Sequence, residues 1–329
     1  MENKPDIKEI KKYQEKLALV RKECSKIVVG QEEIINGLLR ALLADGHVLL
    51  EGIPGIAKTL IIRTLAKTTG CQYSRIQFTA DLLPTDIVGL TTYIKEKNEF
   101  KVAKGPIFAN FVIADEINRS PPKSQSAMLE SMQEKQVTIG NTTYKLPNPF
   151  FVMATQNPIE NAGVYPLPEA QVDRFLFKVM IDYPKVHEES EILTKNMSLV
   201  RFDDVNLKNV ITINDILKIQ NLVKKIYMSK DVENYIVRLI DATRNPDKYK
   251  ISNGQYIEWG CSPRGSISLY IASKAEALIQ GSNFVTPSHV KNVAYDVMRH
   301  RILLNYEGQA ANVKSENIIK EILSKVSVP

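Results

Sequence analysis

Residues 47–59 read His-Val-Leu-Leu-Glu-Gly-Ile-Pro-Gly-Ile-Ala-Lys-Thr, a stretch that narrows the choice of fold more than any other in the chain. Val48, Leu49 and Leu50 make a short apolar run of the kind that forms a buried parallel strand. A loop follows from Gly52, then Lys58 and Thr59, then a helix-compatible segment ending near Gly70. Strand, glycine-bearing loop and helix in that order are what a phosphate grip requires. Successive backbone N–H groups wrap the anion at the helix N-terminus, where the dipole also favours negative charge. Lys58 would reach the β- and γ-phosphates, and the Thr59 hydroxyl would ligate Mg²⁺. The candidate nucleotide-binding stretch is therefore Gly52, Ile53, Pro54, Gly55, Ile56, Ala57, Lys58, Thr59 and Leu60. Ala57 stands where the G-x-x-x-x-G-K-[ST] pattern has its second glycine. Its methyl resists positive φ, so the loop must run through an ordinary helical dihedral there. A strand-to-helix turn without a ligand is the bland alternative.

The rest of the chain supplies a context. Ile7, Ile10, Tyr13, Leu17, Val20, Cys24 and Ile27 recur at steps of three and four, which predicts a leading amphipathic helix. A second helix carries Ile34, Ile35, Leu38, Leu39, Leu42 and Leu43, and Asp45-Gly46 stops it, with the glycine in the left-handed cap. Strands are expected over Tyr73–Phe78, Phe111–Glu116, Phe150–Ala154 and Phe175–Ile181. Two hairpins are expected near 91–102 and 137–146, the second turning on Gly140-Asn141 in a type II′ geometry. Pro121 and Pro122 begin a helix through about Glu134. Beyond Pro184 the pattern holds no convincing strand, only helical segments near 188–199, 214–226, 231–244, 264–280, 287–303 and 315–326. The architecture expected is an α/β parallel-sheet core over residues 1–184, followed by a smaller all-helical domain over 185–329.

Asp115 and Glu116 end an apolar strand downstream of the loop. In a parallel sheet the carboxyl ends of the strands gather at one edge, where a nucleotide sits. Asp115 would hold Mg²⁺, mostly through water, and Glu116 would orient and polarise the attacking water; two acids after a strand can otherwise be a solvated turn. Asn157 ends the next apolar strand, where its amide could bond the γ-phosphate or the lytic water, or merely make a turn with Pro158. Arg174 suits charge spread over a transferring phosphoryl group; a salt bridge to Asp173 or Glu169 is the alternative. Arg264 lies at a helix start, where a cation needs an anionic partner, either phosphate or a surface carboxylate. The histidines at 47, 187, 289 and 300 have no metal spacing. With 43 basic and 37 acidic residues, the net charge of +6 does not demand nucleic acid or an anionic membrane. Three scattered cysteines suggest a reducing compartment. No apolar run approaches the length of a membrane span, so no membrane insertion and a cytoplasmic location are expected.

Taken together, these strings resemble an AAA+ ATPase, and closely the MoxR family. The matching pieces are Val29-Gly30-Gln31, Glu51–Thr59, Phe78–Gly89, Gly105-Pro106-Ile107-Phe108, Ala114–Arg119 with Pro121-Pro122-Lys123, Ala154–Pro158, Tyr165–Phe175 and Ser262-Pro263-Arg264. The Ala57 departure is itself shared by MoxR-like loops. The resemblance implies a P-loop NTPase fold with a helical lid, and ATP and Mg²⁺ as ligands. It makes Lys58 and Thr59 the Walker A pair and Asp115 and Glu116 the Walker B pair. Asn157 becomes sensor 1, Arg174 an arginine finger acting across subunits, and Arg264 sensor 2. Val29 and Gly30 would border the adenine. The hairpins look like the helix-2 insert and the pre-sensor-1 hairpin, and Gln77 is placed to restrain Glu116 until a partner engages. The family implies homo-hexameric rings and chaperone-like remodelling of protein partners, often with a von Willebrand factor A domain, for assembly or metal insertion. Two rivals remain open: a nucleic-acid motor, for which Lys135 and Lys145 flank a hairpin, and an ATP-gated scaffold with little turnover.

Overall fold

The computed structural model describes residues 5–53, 58–96, 98–158, 163–194, 202 and 205–329. Pro54, Gly55, Ile56 and Ala57 of the expected loop lie outside the described residues. The chain forms two compact units, a larger one of Lys16–Arg174 with Val179–Leu217, and a smaller one of Met1–Glu15, Phe175–Lys178 and Lys218–Pro329.

Among the described residues, nine strands precede residue 184: β1 (Val48–Gly52), β2 (Tyr73–Gln77), β3 (Gly89–Ile94), β4 (Glu99–Lys104), β5 (Phe111–Asp115), β6 (Gln136–Ile139), β7 (Thr142–Lys145), β8 (Phe151–Gln156) and β9 (Phe177–Ile181). Five of them form one sheet in the order β2-β5-β8-β1-β9. The pairs β2/β5, β5/β8 and β1/β8 are parallel. Val48–Leu50, Phe111–Ala114 and Phe151–Ala154 are all buried. Continuous burial is what strands covered on both faces require, and it explains why these runs are apolar without alternation. The register sets Gln77 opposite Asp115 and Glu51 opposite Gln156. Four strands thereby end level, and their last residues line one edge.

The opposite, amino-terminal end of the same sheet is sealed. His47 is buried, its Nε2 donating to the Met132 carbonyl at 3.0 Å and its Nδ1 accepting the Val152 N–H at 3.1 Å. Both ring nitrogens are thus committed in the neutral tautomer, and burial pushes the imidazole down to about 4. Asn110 accepts from the Gln72 N–H and donates to the Pro149 carbonyl. Phe111 and Phe151 pack at 5.3 Å between centroids, and Phe150 meets the His47 ring edge-on at 5.8 Å.

Local chemistry accounts for the connections. The helix Glu32–Leu43 ends in a Schellman motif, with Asp45 N–H donating to the Leu42 carbonyl and Gly46 N–H to that of Ala41. The left-handed residue is Asp45, at φ 57°, and not Gly46 as the sequence suggests. Aspartate tolerates this region better than most side chains, and Lys135 pairs with it at 2.5 Å. The hairpin β3/β4 closes on two glycines. A Cβ on Gly89 would stand 2.2 Å from the Ala103 carbonyl oxygen, and one on Gly105 2.3 Å from that of Ile87. Its strands carry Tyr93 and Phe100, both exposed, with ring centroids 5.1 Å apart and planes tilted by 51°. In the hairpin β6/β7, Gly140 alone of the two turn residues has positive φ (59°), as a type II′ turn needs.

The smaller unit is helical, built on Lys230–Arg244, Pro263–Ile279, Pro287–Met298 and Ser315–Lys325. Thr286 precedes Pro287, and its N–H donates to His289 Nδ1 at 3.1 Å. The helix expected to run to 303 ends at Met298. There Arg301 turns inward and caps the carbonyls of Phe175, Leu176 and Val297. The chain then forms β11 (Leu303–Leu304), antiparallel to β10 (Ile257–Trp259). That two-stranded ribbon corrects the expectation of no strand past Pro184. Three and two residues are too few to show a period of two. Among the described residues, no helix is long and apolar enough to cross a membrane.

Candidate functional site

The site is built on the carboxyl edge of the sheet. β1 delivers Gly52, and beyond the loop the helix is described over Lys58–Thr68. The Lys58 ammonium donates to the Gly52 carbonyl, so the two ends of the loop are tied together. Thr59 and Leu60 are half-buried in the first helical turn, and Ile53 is half-buried before the loop. Val29 is buried. Gly30 has φ 72°, and a Cβ there would meet the Glu188 carboxyl carbon at 2.5 Å.

β5 brings the two acids to the same edge. Asp115 Oδ1 accepts the Thr155 hydroxyl at 2.6 Å, and Oδ2 accepts Arg75 Nη2 at 2.6 Å and Nε at 3.0 Å. Glu116 has φ 56° and ψ 48°, a left-handed backbone that costs a side chain about 1–2 kcal/mol. It is held there by its own N–H, which donates to Thr155 Oγ1 at 2.9 Å. One hydroxyl thus orients the Asp115 carboxylate and the Glu116 backbone together. Glu116 Oε2 accepts Gln77 Nε2 at 2.9 Å and Arg119 Nη1 at 3.2 Å. The Gln77 Oε1 in turn accepts Arg75 Nη2 at 2.6 Å. The bond expected between Gln77 and Glu116 is therefore present.

Asn157 is buried directly after β8. Its neighbour Gln156 donates to the Glu51 carboxylate, which pins the ends of β8 and β1 to each other. Arg174 is exposed, after the short helix Glu169–Val172. Its Nη1 donates to Gln133 Oε1 at 2.6 Å. Both residues line an open cavity of about 320 Å³ whose wall also includes Glu130, Glu134 and Gln171. The partner of Arg174 is thus an amide on the helix Pro122–Glu134, and neither Asp173 nor Glu169. Arg264 is exposed in the first turn of Pro263–Ile279, its N–H donating to the Ser262 hydroxyl at 3.2 Å.

The structure thus gathers Gly52, Lys58, Asp115, Glu116 and Asn157 at the ends of adjacent strands. Arg174 sits with Gln133, and Arg264 belongs to the smaller unit. Sequence reasoning missed Thr155, Arg75 and Gln133 as partners. Arg75 lies two residues before Gln77 and so on the same face of β2, a signal that becomes readable once β2 is known to neighbour β5. The donors present suit a nucleotide with a hard divalent cation: carboxylate and hydroxyl oxygens beside a lysine at a helix start. Nothing in the cluster offers the soft ligands of a zinc or iron site.

Comparison with known proteins agrees with this chemistry. Residues 47–177 match the model of the ATPase family associated with various cellular activities (AAA), and residues 251–322 match that of the AAA lid domain. The chain is 44% identical over 308 residues to the chaperone MoxR1 of Mycobacterium tuberculosis, covering 93% of this chain and 81% of that one. It is 42% identical over 305 residues to YeaC of Bacillus subtilis, covering 93% and 92%. The crystal structure of a protein from Cytophaga hutchinsonii with an ATPase assignment superimposes with a TM-score of 0.92 at 47% identity, over 98% of this chain and 97% of the other. The chain belongs to the MoxR family of AAA+ ATPases.

Proposed function

We propose that this protein hydrolyses ATP with Mg²⁺ and uses the cycle to remodel or activate a protein partner. The observation that carries the reading is the Thr155-centred cluster. One hydroxyl fixes an acid suited to a metal and an adjacent acid suited to water, on the sheet edge that also bears Lys58. Lys58 grips the β- and γ-phosphates, backbone N–H groups from Gly52 to Leu60 cradle them, and Val29 and Gly30 border the base. Mg²⁺, held by Thr59 and Asp115, would neutralise charge on the phosphates. Glu116 orients and polarises the water, and the Asn157 amide bonds the water or the γ-phosphate. Gln77 restrains Glu116 until a partner engages. Arg174 completes the site of a neighbouring subunit in a homo-hexamer, and Arg264 takes the sensor 2 role that the family gives this position. Residues 1–184 act as the core and 185–329 as the lid.

The protein partner carries a von Willebrand factor A domain, and its assembly or metal insertion, in the cytoplasm, is the purpose. The nucleic-acid alternative loses its support at Lys135, whose ammonium is paired with Asp45. The decisive experiment mixes two inactive variants. Lys58→Ala should lose nucleotide binding, and Arg174→Ala should bind ATP without turning it over. Mixed rings should recover part of the activity, because each supplies what the other lacks. Mixtures as inactive as their components would rule out a site shared between subunits.

A further inference from the structure

The contacts of Arg75 have no place in the reading above. Its Nη2 bridges two acceptors, Asp115 Oδ2 and Gln77 Oε1, both at 2.6 Å, and its Nε makes a second bond to the same carboxylate oxygen. Gln77 passes the connection on, Nε2 to Glu116 Oε2. A chain of side-chain bonds thus runs from the acid assigned to the metal, through Arg75 and Gln77, to the acid assigned to water. The other Asp115 oxygen is already taken by Thr155, so the oxygen that Arg75 covers is the one best suited to a metal.

We infer that Arg75 is a tethered cation in competition with Mg²⁺ for Asp115, and that their exchange loosens Gln77 and so primes Glu116 for the release that a partner completes. The inference rests on Asp115 being the metal acid. Exposure supports exchange over permanent structure, since the Arg75 side chain is 48% exposed while that of Asp115 is 13% exposed. An ion pair at so open a position is worth little, and a divalent ion at the same oxygen outbids it electrostatically. When Arg75 yields Oδ2, its fork no longer fixes the Gln77 amide, and Glu116 keeps only Arg119 at 3.2 Å. Metal arrival is thereby reported to the water-polarising acid without any movement of the sheet. Arg75 and Gln77 are positioning residues.

The test is a Mg²⁺ titration of binding, with the full chain and a fluorescent non-hydrolysable ATP analogue. Arg75→Ala should lower the half-saturating Mg²⁺ concentration by about three- to tenfold, the scale of an exposed charge pair with good geometry. Arg75→Lys, which keeps the charge and loses the fork, should stay near the parental value. Basal ATP turnover should rise in Arg75→Ala and in Gln77→Ala, and the double variant should gain nothing further, as expected of two links in one chain. Arg75→Gln repeats the measurement if the alanine variant melts early. A half-point within twofold of the parental one for both neutral variants would overturn the competition, provided Asp115→Asn shifts it. Additive gains in turnover would overturn the relay. If Asp115→Asn leaves the Mg²⁺ dependence unaltered, the metal assignment beneath the inference is what fails.

Discussion

The two ends of one sheet show how this chain separates stability from chemistry. At the amino end, His47 and Asn110 are buried and each links backbone groups that would otherwise go unmatched. Losing either partner strands a buried donor or acceptor, so the arrangement resists change. At the carboxyl end, Asp115, Arg75, Gln77 and Glu116 are bonded to one another in a chain of side chains that water reaches. Those bonds can be traded for bonds to a ligand at small cost. Polar residues at one end hold the fold and at the other wait for a substrate; the difference lies in whether water reaches them.

That contrast can be broken in several places. The largest effect is expected at the open end. Glu116→Gln should cut turnover by about 10²–10⁴-fold, the usual worth of a general base, while the melting temperature and nucleotide affinity stay near parental values. Single-turnover hydrolysis with a thermal melt checks both. At the sealed end, His47→Ala should cost about 3 kcal/mol in denaturant unfolding, from a cavity plus two unmatched backbone groups, with the Mg²⁺ half-point of nucleotide binding unmoved. A large shift in that half-point would erase the distinction between the ends.

Acid should act on the sealed end first. The His47 imidazole is held neutral, its value lowered from 6.5 to about 4, and burial also lowers His300 and His289. The unfolded chain therefore binds more protons between these values. The contribution is complete above about pH 6.5 and falls away as the pH drops towards 4, by up to about 3 kcal/mol for His47. His47→Gln should flatten that part of the stability profile. The smallest expected effect is at the hinge between the two behaviours: Thr155→Val should destabilise by about 1–2 kcal/mol, because it strips the Glu116 N–H and Asp115 of a shared partner.

Much of this was legible in the sequence because its signals are local. The strand–loop–helix order around Lys58, the two acids after Phe111–Ala114 and the Gly140-Asn141 turn each sit within a few residues. What was not legible depends on which strands become neighbours. Arg75 and Asp115 are forty positions apart and meet only because β2 pairs with β5. Gln133 and Arg174 meet only because the helix Pro122–Glu134 faces the turn after Val172. The short ribbon of β10 and β11 escaped because it has too few residues to show a pattern. The sequence points to Gly46 because glycine is the commoner left-handed residue, whereas Asp45 takes that place with Lys135, ninety positions away, as its partner.

The left-handed backbone at Glu116 has a consequence for how this protein can be improved. Glycine would relax that position, so breeding for heat resistance alone should favour Glu116→Gly and deliver a sturdier protein that has stopped working. Any campaign to harden members of this family would do well to hold that one codon fixed.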